Sequence, residues 1–306
     1  MITKPFRPLL AATIENNEQL DSLSYPMIAS PKVDGIRCIC HPSLGPVTRS
    51  LKPIRNHFIR SKLEWIELFG LDGEIVSGPI AATDVFNRTT SAVMTQNGEP
   101  EFTYYVFDSM SFVDPIAYGV RLDSVRGRVE ELRGRFGHIY TRQLAYRWVN
   151  NPQDVLDAEI DWLAHGFEGI MLRNPLGPYK HGRSTLREQT LLKLKRFTDA
   201  EAEIIGYEPL FSNQNPQTRN SQGLAERSDH KAGKVQVETL GNLLVRDCSG
   251  RFGEFAIGSG FDSATRAEIW SNRARFLGRT LTYKYQEIGV VGKPRFPIFL
   301  RFREAE

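Results

Sequence analysis

"SPKVDGIRCICH", residues 30–41, sets a lysine directly ahead of an Asp-Gly reversal and an arginine, then enters a segment whose alternate residues Ile36, Cys38 and Cys40 are apolar. Such alternation predicts a half-buried β-strand. A charged amine at the head of that strand has two readings. Either Lys32 is a solvated edge residue and Asp34-Gly35 an ordinary turn, or the turn aims the lysine into a pocket as a nucleophile. Four fixed residue types in a K-x-D-G-x-R frame should arise by chance roughly 0.002 times in a chain of this length. The frame is informative, and the other segments must agree with it.

The whole chain sets bounds. At 306 residues it is long for one core and short for three, so two domains are expected. Its 41% hydrophobic and 25% charged residues are those of an ordinary globular protein, which excludes a disordered or fibrous chain. Thirty-nine basic against thirty-six acidic residues leave a net charge of +3, so any surface for nucleic acid must be a local one. Three cysteines without a C-x-x-C spacing argue for free thiols in a reducing compartment. Cys38, Cys40 and His41 lack a second ligand pair at zinc-site spacing and read as a buried strand face. The start, "MITKPFRPLLAATIENN", has no long apolar region, and no stretch nears the roughly 20 apolar residues of a membrane span, so a cytosolic protein is expected.

Residues 1–196 read as mixed strands and helices. Phe58, Ile59, Lys62, Leu63 and Ile66 have helical spacing up to Gly70, and Leu122, Val125, Val129, Leu132 and Phe136 mark a second helix. Asn151-Pro152 opens a third, which ends at Gly166 and delivers the chain into "FEGIML". Beyond "LLKLKRFTDAEAE" five short strand-like runs with one helix, Ser263 to Leu277, predict a small OB-type barrel over 197–306. Between its first two runs lies a polar insertion at about 212–234, "SNQNPQTRNSQGLAERSDHKAGK", too long for a simple connection.

Three segments accompany Lys32. In "LDGEIVSG", Asp72 and Glu74 stand two apart and point to one face of a strand, where they could serve a divalent metal or a ribose, or simply an exposed hairpin. In "EGIML", Glu168 opens an apolar strand, where an isolated charge is costly unless paired or bound to a metal. In "LLKLKRF", Lys193 and Lys195 share one face and suit a polyphosphate, although an amphipathic surface strand has the same pattern. Phe107 of "YYVFDSM" is either core or a surface on which a base stacks.

Taken in order, "KVDGIR", "TRSLKPI", "DGEI", "VFD", "EGIML", "LLKLK" and "RFPIFLRFR" resemble the motifs of the covalent nucleotidyltransferase superfamily, which holds ATP-dependent DNA ligases, RNA ligases and mRNA-capping guanylyltransferases. The "ERSDHKAGK", "IGSGFD" and "RFPIF" stretches narrow the resemblance to the minimal ATP-dependent DNA ligases of chlorella-infecting viruses and phages. The implied fold class is α+β: an ATP-grasp-like nucleotidyltransferase domain of mixed, mainly antiparallel sheets with helices over 1–196, followed by an all-β OB-fold barrel. The implied activity is nick sealing in duplex DNA with ATP as AMP donor and Mg²⁺ or Mn²⁺, by a monomer.

The resemblance also implies residue roles. Lys32 is the nucleophile that becomes lysyl-AMP, helped by Lys193 and Lys195 at the α-phosphate and by Arg295 at the departing pyrophosphate. Ser30, Arg37, Glu74 and Phe107 complete the nucleotide site, Glu74 on the ribose and Phe107 against adenine, and Asp72 and Glu168 serve the metal. A lysine in water is almost wholly protonated at neutral pH, so desolvation, metal and neighbouring cations must free its lone pair. Arg37, Arg49, Lys180 and Arg183 are assigned to DNA, as are Arg219, Arg227, Lys231 and Lys234 of the insertion, which is expected to be mobile alone and to latch around the duplex. The Asp-Lys pair that usually follows the last motif is replaced here by "FRFREAE", so no role is assigned to that pair. Two other readings share features with this one: an RNA-joining or capping enzyme, and an OB-fold single-strand-binding module without catalysis.

Overall fold

A computed structural model describes residues 6–110, 115–195, 197–219, 225–228, 230–286 and 292–303. The centre of the polar insertion (220–224 and 229), the first five residues and the last three lie outside the described residues. The chain divides into two compact units, Phe6–Arg196 and Phe197–Glu306.

Two five-stranded sheets build the first unit. One runs in the order Ala12–Ile14, Leu192–Leu194, Ile170–Arg173, Met27–Pro31, Arg147–Val149, and the other in the order Gly45–Thr48, Ile36–His41, Leu71–Val76, Thr103–Ser109, Thr141–Gln143. Each contains one parallel pair at an edge and is otherwise antiparallel. The strand after Lys32 buries Cys38 and Cys40 in a core shared with Tyr104, Val106 and the helix Tyr118–Gly134. A separate core, with Ile170, Leu172, Leu192 and Leu194, lies under the helix Pro152–Ala164. That helix starts as its sequence dictates: the Asn151 side chain accepts from the Asp154 N–H at 2.9 Å and Pro152 fills the first turn, while Gly166 beyond the end has φ +88°.

In the second unit the strands Glu254–Ile257, Lys234–Asp247, Thr198–Asn213, Thr280–Gln286 and Arg295–Phe302 form one antiparallel sheet in that order. A bridge between Ser259 and Ile298 brings its two ends together, as barrel closure requires. The helix expected over Ser263 to Leu277 is broken, into Ser263–Ser271 and Arg273–Phe276, because Asn272 turns its amide back onto the Glu268 carbonyl. The described strands of the insertion are paired. Thr198–Asn213 and Lys234–Asp247 remain paired out to Asn213 and Lys234, and Gln217–Arg219 pairs with Ala225–Arg227. Asn215 is buried at the base, where its amide donates to Asn213 Oδ1 and to the Ser228 and His230 carbonyls. One satisfied polar side chain thus supplies the anchor that the segment's few apolar residues cannot.

Candidate active site

Lys32 leaves the strand Met27–Pro31 beside Glu168: its N–H donates to the Gly169 carbonyl at 2.8 Å, and Glu168 N–H donates to the Lys32 carbonyl at 3.2 Å. Gly169 (φ +150°) passes so near the next strand that a Cβ would stand 2.4 Å from the Leu194 carbonyl oxygen, so only glycine allows this approach. The result is a three-membered ionic group. Glu168 offers one carboxylate oxygen to Lys32 and the other to Lys195, with side-chain exposures of 2%, 23% and 11% respectively. Burial alone would raise the Glu168 carboxyl, but the two lysines hold it below its ordinary value. Lys193 stands opposite Met171 on the adjoining strand, and burial together with the charges of Lys32 and Arg183 lowers its amine.

The other sheet supplies the facing wall of a pocket. Ser30, Lys32, Glu74, Phe107, Met171 and Arg173 are among its lining residues. Tyr104 and Val106 point into the core, and the ladder steps from Asp72↔Asp108 to Gly73↔Val106, leaving Phe107 as the extra residue of a β-bulge. Bulges re-aim side chains, and this one presents the Phe107 ring to the pocket, with the Arg37 and Arg173 guanidinium carbons 5.6 and 5.3 Å from its centroid.

The Glu74 side chain makes no hydrogen bond to any described residue, and burial pushes its carboxyl up to about 8 although Lys32 and Arg37 pull it down. The folded state therefore holds a proton here that the unfolded chain releases above its ordinary carboxyl range, and stability falls as pH rises from about 4.5 to about 8. Glu74→Gln should remove that slope and be the more stable protein at pH 8, by ~1–3 kcal/mol after screening by pocket water. Urea midpoints measured across pH 5–8 test this, and equal slopes for the two proteins would refute it.

Two of the residues given roles above are held by other side chains. Asp72 is fully buried and holds Arg37 through both oxygens, at 2.9 Å to Nε and 2.5 Å to Nη2, and it also accepts from the Tyr179 hydroxyl at 2.7 Å. A buried carboxylate needs such partners, and these meet that need for Asp72. Arg37 likewise donates to Asp72 and, through Nη1, to the Leu9 carbonyl at 2.6 Å, and it lines the pocket. Among the described residues no three acidic, His or Cys side chains cluster as a metal cage. Lys180 pairs with Glu188, Arg183 donates to the Ala11 carbonyl, and Arg49 is exposed in the turn after Gly45–Thr48. Arg295 belongs to the second unit, where its guanidinium lies 5.0 Å from the Phe296 ring centroid.

Residues 8–195 match the family model described as ATP dependent DNA ligase domain, and residues 232–303 match DNA ligase OB-like domain. The chain belongs to the ATP-dependent DNA ligase family. This ligase is 35% identical to Chlorella virus DNA ligase, solved as its adenylate, over 98% of this chain and 100% of that one, with a TM-score of 0.55. A Lig E DNA ligase shares the fold at 23% identity, covering 96% and 98% of the two chains with a TM-score of 0.67. The DNA ligase of Haemophilus influenzae is 32% identical over 134 residues, which are 44% of this chain and 37% of that protein. The chain thus matches little more than a third of this curated relative's length.

Sequence reasoning missed three residues of the ligase's site. Met171 and Arg173 alternate with the buried Ile170 and Leu172 and so face the pocket, a pattern visible in "EGIMLR". Tyr179, the third partner of Asp72, carries no signal of its own in the sequence. No helix among the described residues is long and apolar enough to cross a membrane.

Proposed function

We propose that this chain seals nicks in duplex DNA by taking AMP from ATP onto Lys32. The observation that carries this reading is Glu168 bridging Lys32 and Lys195 at the pocket that holds Phe107, Glu74 and Arg173. Nζ of Lys32 forms a bond to the α-phosphorus while the bond from that phosphorus to the oxygen bridging the β-phosphate breaks, releasing pyrophosphate. Glu168, already paired with the ammonium, aims it, and the proton leaves to solvent as the neighbouring cations disfavour the charged form. The lysyl N–P bond then breaks as a 5′-phosphate oxygen at the nick takes the AMP, and the 3′-hydroxyl attacks that 5′-phosphorus and expels AMP. Such transfers need chiefly alignment and charge stabilisation, which Lys193 and Lys195 supply here. Phe107 offers the base a stacking face, and the Glu74 side chain, with no hydrogen-bond partner among the described residues, can accept from ribose hydroxyls.

A divalent cation fits as a passenger of the phosphates: Mg²⁺ is commonly held by one or two carboxylates plus substrate oxygens, and Glu168, assigned to the metal with Asp72, stands beside Lys32 at this pocket. When bound it would screen phosphate charge. Residues 1–196 are assigned the adenylation step, and 197–306 an OB-fold role with the insertion at 212–234 as a DNA-gripping latch. Labelled ATP or GTP followed by nick sealing on DNA and RNA tests the whole reading. The expected result is label from ATP on Lys32 and sealing of DNA; label from GTP, or sealing of RNA alone, would favour the capping or RNA-joining alternatives.

The latch makes its own prediction. Arg219 and Arg227 lie on its two paired strands, and Lys231 and Lys234 at its return, with Lys231 and Lys234 exposed. Replacing residues 213–233 by a short Gly-Ser linker should weaken binding of nicked DNA and make log K against log salt shallower by about 0.9 for each cation–phosphate pairing that the deletion removes. Lysine adenylation should stay near wild type. Unchanged DNA affinity, or loss of adenylation first, would reject the latch role.

A further inference from the structure

The buried group around Asp108 holds one anion and two cations. Asp108 accepts from Arg121 Nε at 2.7 Å and Nη2 at 3.3 Å, from Arg173 Nη1 at 2.6 Å, and from the Ser109 N–H at 2.8 Å. The two arginines differ in what else they meet. Arg121 also donates through Nη1 to the Ile116 and Gly177 carbonyls, so its fork is engaged on every nitrogen by the protein itself. Arg173, whose side chain is only 5% exposed, has no acceptor among the described residues for Nε–H or for either Nη2 hydrogen. Its planar faces lie against Tyr118 and Phe107, at 4.6 and 5.3 Å from the ring centroids, so the guanidinium is fixed in orientation, and its remaining route is into the pocket that it lines. A buried guanidinium with unused donors is costly unless something else accepts them.

The strand ladder says which part of a nucleotide that is. Pro31, next to Lys32, pairs with Ile170, whereas Arg173 pairs with Ile28 three residues further along. At ~3.3 Å per residue this places Arg173 roughly 10 Å from the reacting amine's end of the strand. Phosphates are bound at the lysine end, so the group beside Arg173 is the one that stacks on Phe107.

Resting on the ATP reading above, we propose that Arg173 reads the nucleobase, donating through Nε and Nη2 to an acceptor on the edge of the purine ring, with Asp108 holding the fork in place. The test is the KM and kcat of lysine adenylation with ATP and with 1-deaza-, 3-deaza- and 7-deaza-ATP, for wild type, Arg173→Met and Arg173→Lys. One deaza analogue should raise the wild-type KM roughly 10- to 100-fold, as expected for a hydrogen bond from a charged donor, with kcat little changed. Arg173→Met should show that rise with ATP itself and be indifferent to the same analogue, a coupling that a merely structural residue would not show. Arg173→Lys keeps a cation for Asp108 but loses the fork, and should show the same lost discrimination if the methionine variant does not fold. A variant that keeps the wild-type KM for ATP, or one that suffers the full analogue penalty on top of its own, overturns the proposal. Wild type that takes label from no nucleoside triphosphate overturns the ATP reading along with it.

Discussion

Lys32→Ala should take up no AMP at all from labelled ATP. Its amine is the nucleophile of the proposed first step, and no second amine can replace it without moving: Lys195 is held on the other oxygen of Glu168, and Lys193 is on the neighbouring strand opposite Met171. The fold should survive, because the Lys32 side chain is 23% exposed and contributes little to either core. The sharper expectation concerns a nick that already carries AMP. Its sealing uses the 3′-hydroxyl as nucleophile, so the variant should still join it. Gel-resolved labelling and ligation of a pre-adenylated nick give the two readouts. Robust labelling of Lys32→Ala would end the assignment, and loss of both activities with an intact fold would mean that the lysine also serves the last step.

Glu168→Gln should slow adenylation by ~10²–10³-fold, the usual cost of removing one preorganised charged group from a reaction site. The physical reason is local. Without the carboxylate, Lys32 and Lys195 face each other as like charges with no anion between them, and Lys32 loses its aim. Glu168→Asp, which keeps the charge but shortens the arm, should recover part of the rate, whereas a purely packing role would favour glutamine over aspartate. Rapid-quench measurement of label uptake, with urea denaturation alongside, separates these outcomes. Wild-type rates in Glu168→Gln would show that the carboxylate's charge is not used.

Features set by near neighbours are legible in the sequence. The alternation of Ile36, Cys38 and Cys40, the Asn151-Pro152 helix start and the strand texture beyond residue 197 each follow from a few consecutive residues, and the structure has all three. The side-chain partners of Asp72 and Arg173 depend on distant pairings. Asp72 reads as available for a metal because its partners, Arg37 and Tyr179, lie 35 and 107 positions away, and nothing in "LDGEIV" announces them. Arg173 escapes notice for the same reason, since its anion, Asp108, is 65 positions away. The polar insertion misleads in the opposite sense: its composition lacks apolar residues, yet the ladder from Leu210↔Val237 to Asn213↔Lys234 and the buried Asn215 amide give its base order through hydrogen bonds that composition does not register.

The parallel pairing of Ala12–Ile14 with Leu192–Leu194 also constrains how the molecule comes into being. The strand that bears Lys193 docks between Ala12–Ile14 and Ile170–Arg173, so Lys32, which precedes it by 161 positions in the chain, meets Lys193 and Lys195 only when this strand is in place. Pairings of such long sequence separation carry a large loop-closure entropy and form late. A nascent chain shorter than about this point has Lys32 and Phe107 but lacks Lys193 and Lys195, and its Ile170–Arg173 edge lies open. If Lys32 acts as proposed, a chain cut before Leu192 would carry the lysine without the two cations beside it.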